Sequence, residues 1–302
     1  MTVRNNFPNI LPTLNLNFAK TKKLDPRITF TRASAASYYD GETVSKAEEN
    51  LLLRSQEFDQ TWSTIGATVT ANTDVAPDGT TTADKIMFTA SSGDLIRQAI
   101  TMVSATYTFS VHVKAASGTK LFRLARYGVT AGLTIQEFTA TTTWQRFSIT
   151  VTANAESTFW YVYNGSDGLA GDLILWGAQL EQRNAVTAYT PTTTSPITNY
   201  IPTLLSAPAG VARFDHDPIT GESKGLLIEE QRVNLLTNSA THSSFYNSLV
   251  TSNAVAPDGS LTANVVSAVS FASGISYAAN SYASFTAGTT YTFSIYVKRG
   301  AS

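Results

Sequence analysis

Tyr107-Thr108-Phe109-Ser110-Val111-His112-Val113-Lys114 alternates apolar and polar side chains, and the pattern returns as Tyr291-Thr292-Phe293-Ser294-Ile295-Tyr296-Val297-Lys298. A period of two sends successive side chains to opposite faces, the mark of a half-buried β-strand. Two further matches turn this recurrence into a repeat. Asn50-Leu51-Leu52-Leu53-Arg54-Ser55 returns as Asn234-Leu235-Leu236-Thr237-Asn238-Ser239, and Ala76-Pro77-Asp78-Gly79 returns as Ala256-Pro257-Asp258-Gly259. A Thr-Ala pair follows the second match in both copies, at Thr82-Ala83 and Thr262-Ala263. The outer matches lie 184 residues apart (107 to 291) and the middle one 180 (76 to 256), so a short insertion separates them. Ordered matches at nearly one spacing predict two copies of one module.

Four segments follow: residues 1–49, a first module over 50–189, a connector over 190–233 and a second module over 234–302. Everything matching 119–189 is missing from the second copy, and Trp144, Trp160 and Trp176 fall in that portion. Two expectations account for this: a chain cut short from a longer protein, or a sheet completed by a neighbouring chain, since a half-module leaves an unpaired edge.

The period of two runs through most of the first module. Phe147, Ile149 and Val151 alternate with Arg146, Ser148 and Thr150; Phe122 and Leu124 alternate with Arg123 and Ala125. Helical spacing is weak, with Lys46 to Phe58 the one stretch that carries any. Short Thr-, Val-, Tyr- and Phe-rich strands between Gly, Asn and Asp turns predict an all-β fold, an antiparallel β-sandwich of two packed sheets. An eight-stranded jelly roll is the expected form and an immunoglobulin-like sandwich the alternative. In the N-terminal segment, Leu14, Leu16 and Phe18, then Ile28 and Phe30, read as half-buried strands. The connector opens as a stiff polar linker, Thr190 to Pro196, and continues as a hairpin from Arg213-Phe214-Asp215 through Asp217-Pro218-Ile219-Thr220-Gly221 to Gly225–Ile228. Glu48-Glu49 and Glu229-Glu230 precede the two modules in matching places. This predicts a small β platform made of the N-terminal strands and the connector, with the first module inserted between them.

Composition excludes several functions. The chain has 302 residues, 43% apolar and 14% charged, against about 25% charged in an average soluble protein. Twenty-one Lys and Arg against twenty-two Asp and Glu give a net charge of -1. That balance argues against nucleic-acid binding, which needs clustered excess basic charge. With no cysteine there is no disulfide, zinc-thiolate site or cysteine nucleophile. No apolar run reaches the roughly 18 residues of a membrane helix, so no membrane insertion is expected.

Catalytic motifs are weak. Gly165-Ser166-Asp167-Gly168 falls one residue short of a nucleophile elbow and reads better as a turn after Tyr163-Asn164. His112, His216 and His242 are scattered without metal-ligand spacing. The sequential acidic pairs point apart on a strand or loop, and solvated or capping roles suit them better than the facing carboxylates of glycoside hydrolysis. Asp215-His216-Asp217 with Gly221-Glu222 lacks the alternating oxygen ligands of a calcium loop, while a structural calcium within the jelly roll stays open. No other cofactor is expected. Asn164-Gly165-Ser166 formally fits a glycosylation acceptor.

The aromatics carry more information. Phe159-Trp160-Tyr161-Val162-Tyr163 is apolar on both faces of a strand, more than a one-sided sheet needs. One parity faces the core; the other puts large rings on the outer face, where a sugar ring stacks its C–H face and Arg or Lys donates to its hydroxyls. The candidate glycan-binding residues are therefore Tyr161, Tyr163, Trp160, His112, Lys114, Arg123 and Tyr127, the last four expected on one sheet. Against this, Trp160 and its neighbours simply fill a thick core.

These stretches also resemble a known family. Leu14-Asn15-Leu16-Asn17-Phe18-Ala19 and Asp25-Pro26-Arg27-Ile28-Thr29-Phe30-Thr31-Arg32-Ala33-Ser34 resemble the start of tailed-bacteriophage virion proteins of the tail- or head-fibre type. Arg213 to Glu222 with Gly225 to Arg232 is similar to their connector. Trp176-Gly177-Ala178-Gln179-Leu180-Glu181, followed by Ala188-Tyr189-Thr190-Pro191-Thr192, resembles the last strand and exit of their carbohydrate-binding-module-like jelly rolls. The resemblance implies a non-enzymatic structural protein of the virion, assembled in the host cytoplasm. It also implies other virion proteins as partners, a homo-oligomer with a trimer favoured, and modules displayed toward host cell-surface polysaccharide. A spacer or decoration without a ligand, and a polysaccharide depolymerase, are the competing readings.

Overall fold

A computed structural model describes residues 14, 16–230, 234–236, 239, 244–246, 248–268, 277–279 and 285–298. The expectations for residues 1–13, for Asn15 and for the remaining parts of 231–302 lie outside the described residues. In chain order the elements begin with one helical turn, α1 (Phe18–Thr21), then β1 (Ala36–Tyr38) and β2 (Val44–Asn50). Next come β3 (Ser63–Ile65), β4 (Ala67–Asp74), β5 (Ala83–Phe88), β6 (Leu95–Thr101), β7 (Ala105–Ala115) and β8 (Lys120–Gly128). They continue with β9 (Gly132–Ala140), β10 (Gln145–Ala153), β11 (Ser157–Asn164) and β12 (Gly171–Glu181). Finally come β13 (Ile197–Pro202), β14 (Leu205–Ala207), β15 (Phe214–His216), β16 (Ser223–Leu226), β17 (Ser244–Tyr246), β18 (Ser248–Ala254), β19 (Ala263–Ala268) and β20 (Tyr277–Ala279). The chain is all-β and its strands pair antiparallel. The described residues divide into two compact units, one drawn from 1–45, 200–237 and 256–260 and the other from the rest.

The larger unit holds a sandwich of two five-stranded sheets, ordered β10-β7-β12-β5-β4 and β3-β6-β11-β8-β9. From β3 to β12, β4–β5 and β8–β9 are hairpins; every other connection crosses to the opposite sheet. Such crossing is the jelly-roll solution to edge strands. The sandwich has ten strands where eight were expected.

Between the sheets, the parity read from sequence holds. Phe109, Val111 and Val113 of β7 meet Phe122, Leu124, Trp160 and Val162 of the facing sheet, with Leu173, Leu175 and Leu180 of β12. All of these are buried, and each such side chain removed from water contributes about 1.5–3 kcal/mol. Rings interlock across the gap, with Phe109 and Trp160 centroids 5.6 Å apart and Phe122 and Phe147 5.0 Å apart.

Two repeat motifs have clear physical work in this unit. Asn50 is buried; its Nδ2 donates to Ala178 O and Thr190 O at 2.9 Å each, while its Oδ1 accepts from Leu52 N and Leu180 N. The turn at Ala76–Gly79 closes through Gly79 N to Ala76 O, with Asp78 Oδ1 accepting Thr80 N at 2.9 Å and Gly79 at a φ of 85° that suits glycine. The motif Trp176 to Glu181 forms the docking strip for the exit of the module. Gly177 takes a φ of 63° at a bulge where a Cβ would lie 3.2–3.3 Å from the rings of His112 and Tyr189. Gln179 Oε1 accepts Thr190 N at 2.7 Å, and Thr192 Oγ1 donates to Leu52 O at 2.7 Å.

Several expectations are corrected. Lys46 to Asn50 belong to strand β2, and turns follow it, so the trace of helical spacing reflects buried positions such as Ala47 and Leu52 on irregular backbone. Thr190 and Thr192 are buried and bonded to the sandwich, so the start of the linker is docked. Glu49 is buried as well, because β2 turns it inward; it pairs with Lys46 at 2.8 Å and accepts Gln182 N.

In the smaller unit, β1 pairs with β14 and β15 with β16. Arg213 Nη1 donates to Ser37 O at 2.7 Å and Asp215 Oδ1 accepts Tyr39 N at 2.9 Å, so connector and N-terminal segment form one platform. Among the described residues, the strands expected from Leu14, Leu16 and Phe18 and from Ile28 and Phe30 are not formed. Phe18 opens α1, capped by Asn17 Oδ1 on Lys20 N and packed against Phe214, and no strand among the described residues gives Ile28 and Phe30 a ladder.

Candidate functional site

Strand β11 lies at the centre of the sheet β3-β6-β11-β8-β9 and carries rings on both faces. Trp160 and Val162 point inward and are fully buried. Phe159, Tyr161 and Tyr163 point outward in one row. Phe159 and Tyr161 centroids are 6.0 Å apart, and Tyr161 and Tyr163 stack at 4.9 Å with 26° between planes. The strand is apolar on both faces because one set builds the core and the other builds this ladder.

The flanking strands place cations against the ladder. In register, Tyr161 stands between Arg97 of β6 and Ala125 of β8, Tyr163 between Leu95 and Arg123, and Phe159 between Ala99 and Tyr127. The Arg97 guanidinium lies 4.4 Å from the Phe159 centroid and 5.9 Å from that of Tyr161. Arg123 lies 5.5 Å from the Tyr163 centroid. Its plane is fixed by Nε donating to Asn164 O at 2.8 Å and Nη2 donating to Ser92 O. Burial pushes the Tyr163 hydroxyl above its ordinary value, so it stays a neutral donor and acceptor at neutral pH. Around this centre the face exposes Ile65, Leu133, Ile135 and Tyr127, the last 40% accessible.

The row therefore brings together Tyr161, Tyr163, Arg123 and Tyr127 of the sequence-derived candidates. Tyr161 itself is 4% exposed, wedged between its two ring neighbours and Arg97, and its role is to hold the ladder rather than to present a free face. Three candidates belong elsewhere. Trp160 is core, since its parity is that of Val162. His112 and Lys114 lie on β7, in the opposite sheet, because the connection from β7 to β8 crosses between sheets. Lys114 pairs there with Asp74 at 2.9 Å and sits 5.1 Å from the Trp144 ring. His112 packs edge-on against Trp176 and Tyr189; burial and the charge of Arg146 push it down to about 3, leaving it neutral at pH 7. Arg97 and Phe159 are the site residues that sequence reasoning missed. Phe159 shared the parity of Tyr161; Arg97 had no signal beyond its place in an apolar stretch, and strand pairing alone puts it beside the ladder.

The acceptor-like Asn164 is buried, with Lys120 Nζ donating to its Oδ1 at 2.6 Å and its Nδ2 donating to Ser91 O at 2.9 Å. That closes it to glycan attachment. Gly165 to Gly168 form a turn, Gly168 N donating to Gly165 O at 3.1 Å. In the connector, Asp217 accepts Ile219 N and Thr220 N and pairs with Lys224 at 3.1 Å, so its oxygens already close a turn. Among the described residues no three His, Asp or Glu side chains cluster as a metal site.

No protein-family model matches the chain, and no curated protein matches it. Among solved structures, the CBM22-1 xylan-binding domain of Paenibacillus barcinonensis Xyn10C is similar at 14% identity and a TM-score of 0.39, covering 47% of this chain and 99% of that one. TmCBM61, in complex with beta-1,4-galactotriose, is similar at 14% identity and a TM-score of 0.36, covering 45% and 100%. The enzymatically active domain of tailspike protein 4 of bacteriophage CBA120 is similar at 12% identity and a TM-score of 0.34, covering 44% of this chain and 21% of that one. The chain thus spans about a fifth of the tailspike chain it matches.

Proposed function

We propose that this chain is a structural protein of a tailed-bacteriophage virion, of the tail- or head-fibre type, whose first sandwich recognises host-surface glycan. The observation that carries the glycan part is the outward ladder Phe159-Tyr161-Tyr163 with Arg97 and Arg123 leaning onto it. Rings present flat apolar surface with a polar edge, and guanidiniums beside them supply oriented donors, the two contacts a sugar ring accepts. The virion part rests on the motif resemblance at 14–34, 213–232 and 176–192. Repeated display in a homo-oligomer, a trimer by that resemblance, raises weak single-site binding through effective concentration. No bond-breaking is assigned to the chain.

A glycan array probed with the intact protein tests the reading. Binding to host polysaccharide is expected, and Tyr163→Ala and Tyr127→Ala should each weaken it while leaving tryptophan-monitored unfolding in place. Silence across the host's polysaccharides removes the recognition role. New reducing ends on incubation with those polysaccharides would instead reveal a depolymerase.

A further inference from the structure

We infer that the glycan taken by this face is an acidic one, its carboxylates seated on Arg97 and Arg123. The inference rests on the glycan reading above and specifies its ligand class.

The first observation is how the charges of the sandwich are disposed. Lys46 pairs with Glu49, Arg54 with Glu57, Lys85 with Asp172 and Lys114 with Asp74. Arg97 and Arg123, on the exposed outer face of the other sheet, have no ion pair within 4 Å among the described residues. Of these two cations, Arg97 faces Ser63 and Tyr161 in register and has no acidic residue opposite it, whereas Arg123 stands opposite Glu137 of β9.

Second, these guanidiniums are held in place and still have donors to offer. Arg97 Nε donates weakly to Ser63 Oγ at 3.3 Å, and among the described residues no acceptor meets its Nη1 or Nη2. Arg123 is anchored through Nε and Nη2, and among the described residues no acceptor meets its Nη1. Contact with the Phe159 and Tyr163 rings, at 4.4 and 5.5 Å from their centroids, holds both guanidiniums in place, so less side-chain entropy is lost when a planar anion docks. A carboxylate accepts two parallel N–H bonds from a guanidinium, roughly twice as strong as bonds to a neutral hydroxyl.

Third, cations cover part of the ladder. Tyr161 is 4% exposed and Arg97 lies over the Phe159 ring, so a ligand over the centre of the row meets a cation beside the rings. Glu137 of β9, opposite Arg123 in register, is the acidic group on this face; it accepts Ser166 N at 2.7 Å and would repel an anion placed on its side. A carboxylated chain is thereby directed over β11, between the two arginines, which stand on strands about 9–10 Å apart.

The test is affinity electrophoresis and calorimetry of the intact protein with polygalacturonate, alginate, hyaluronan and polysialic acid, each beside its carboxyl-reduced form, and with neutral xylan. At low ionic strength at least one acidic polymer should bind, and reducing its carboxyls should weaken binding by about tenfold or more. Arg97→Gln and Arg123→Gln should each give a comparable loss with the unfolding midpoint unchanged. Arg97→Lys, which keeps charge and loses the planar fork, should restore part of it. Lys23→Gln, an exposed charge in the other unit, should change nothing. Reduced or neutral polymers binding as tightly as acidic ones would overturn the acidic class and leave glycan recognition standing. An equal loss in Lys23→Gln would overturn it too, as general attraction to polyanions. Binding to none of the polymers would overturn the inference together with the reading it rests on.

Discussion

Tyr107–Lys114 and Tyr291–Lys298 share Tyr-Thr-Phe-Ser, a β-branched residue, an aromatic ring, Val and Lys, yet they differ in state. The first lies in β7, bonded along one edge to β10 and along the other to β12. The second forms no strand. Phe109 is fully buried, while Phe293 is 74% exposed and Val297 83% exposed. The local pattern is the same; the partners are not, because no described segment supplies 291–298 with the equivalents of β10 and β12. A strand is stabilised by its cross-strand pairs and by what its apolar face meets, and alternation alone secures neither.

The other two repeat motifs grade that lesson. Asn50 satisfies four backbone groups, whereas among the described residues Asn234 keeps one of those bonds, Leu236 N to Oδ1 at 3.0 Å, as in the pair Leu52 and Asn50. The turn motif is retained in full. Gly259 N donates to Ala256 O at 2.9 Å, Asp258 Oδ1 accepts Ser260 N at 2.9 Å, and Gly259 has a φ of 79°. Strands β18 and β19 pair across it as β4 and β5 do in the first copy, with a register shift on the same strand beside the turn. Local motifs recur where their partners are a few residues away and lapse where the partners are distant.

The sharpest way to break this comparison is in the strands themselves. Phe109→Ala should destabilise the sandwich by about 3–5 kcal/mol through the cavity it leaves. Phe293→Ala should stay within about 0.5 kcal/mol, as exposed positions do. Urea unfolding followed by circular dichroism reads both, and equal shifts would mean that 291–298 is packed in solution. A step down in size, Asn50→Ala should lose about 2–3 kcal/mol by orphaning buried carbonyls and amides. Asn234→Ala should do no more than speed hydrogen exchange at the Leu236 amide. The smallest effect is expected where the copies agree. Asp78→Ala and Asp258→Ala should each weaken their own hairpin by about 1 kcal/mol, and amide exchange at Thr80 and Ser260 should rise alike. Unequal responses there would show that the two turns are not the same element.

Much of the fold was readable from residue order. Parity assigned Phe109, Val111 and Val113 to the interior, and the aromatic run of β11 announced a second, outward set of rings. Legibility failed wherever the answer lay in a distant strand. Lys114 and Arg123 are nine positions apart in sequence but occupy opposite sheets, and Arg97 reaches the ladder through pairing with a strand more than sixty residues downstream (97 with 161). Glu49 and Asn164 looked like surface groups because burial of a polar side chain depends on bonds to Gln182 N and Lys120 Nζ that no local pattern encodes.

By itself, the sequence determined the strand period, the turns at Asp78 and Asp258, the repeat and the absence of thiol chemistry, since each depends on a residue's own shape or on neighbours a few positions away. Tertiary structure alone decided which sheet each strand joined, which polar groups were buried, and that two arginines from different strands converge on one row of rings. Those outcomes depend on contacts closed over long loops, whose energy is shared between segments and belongs to neither.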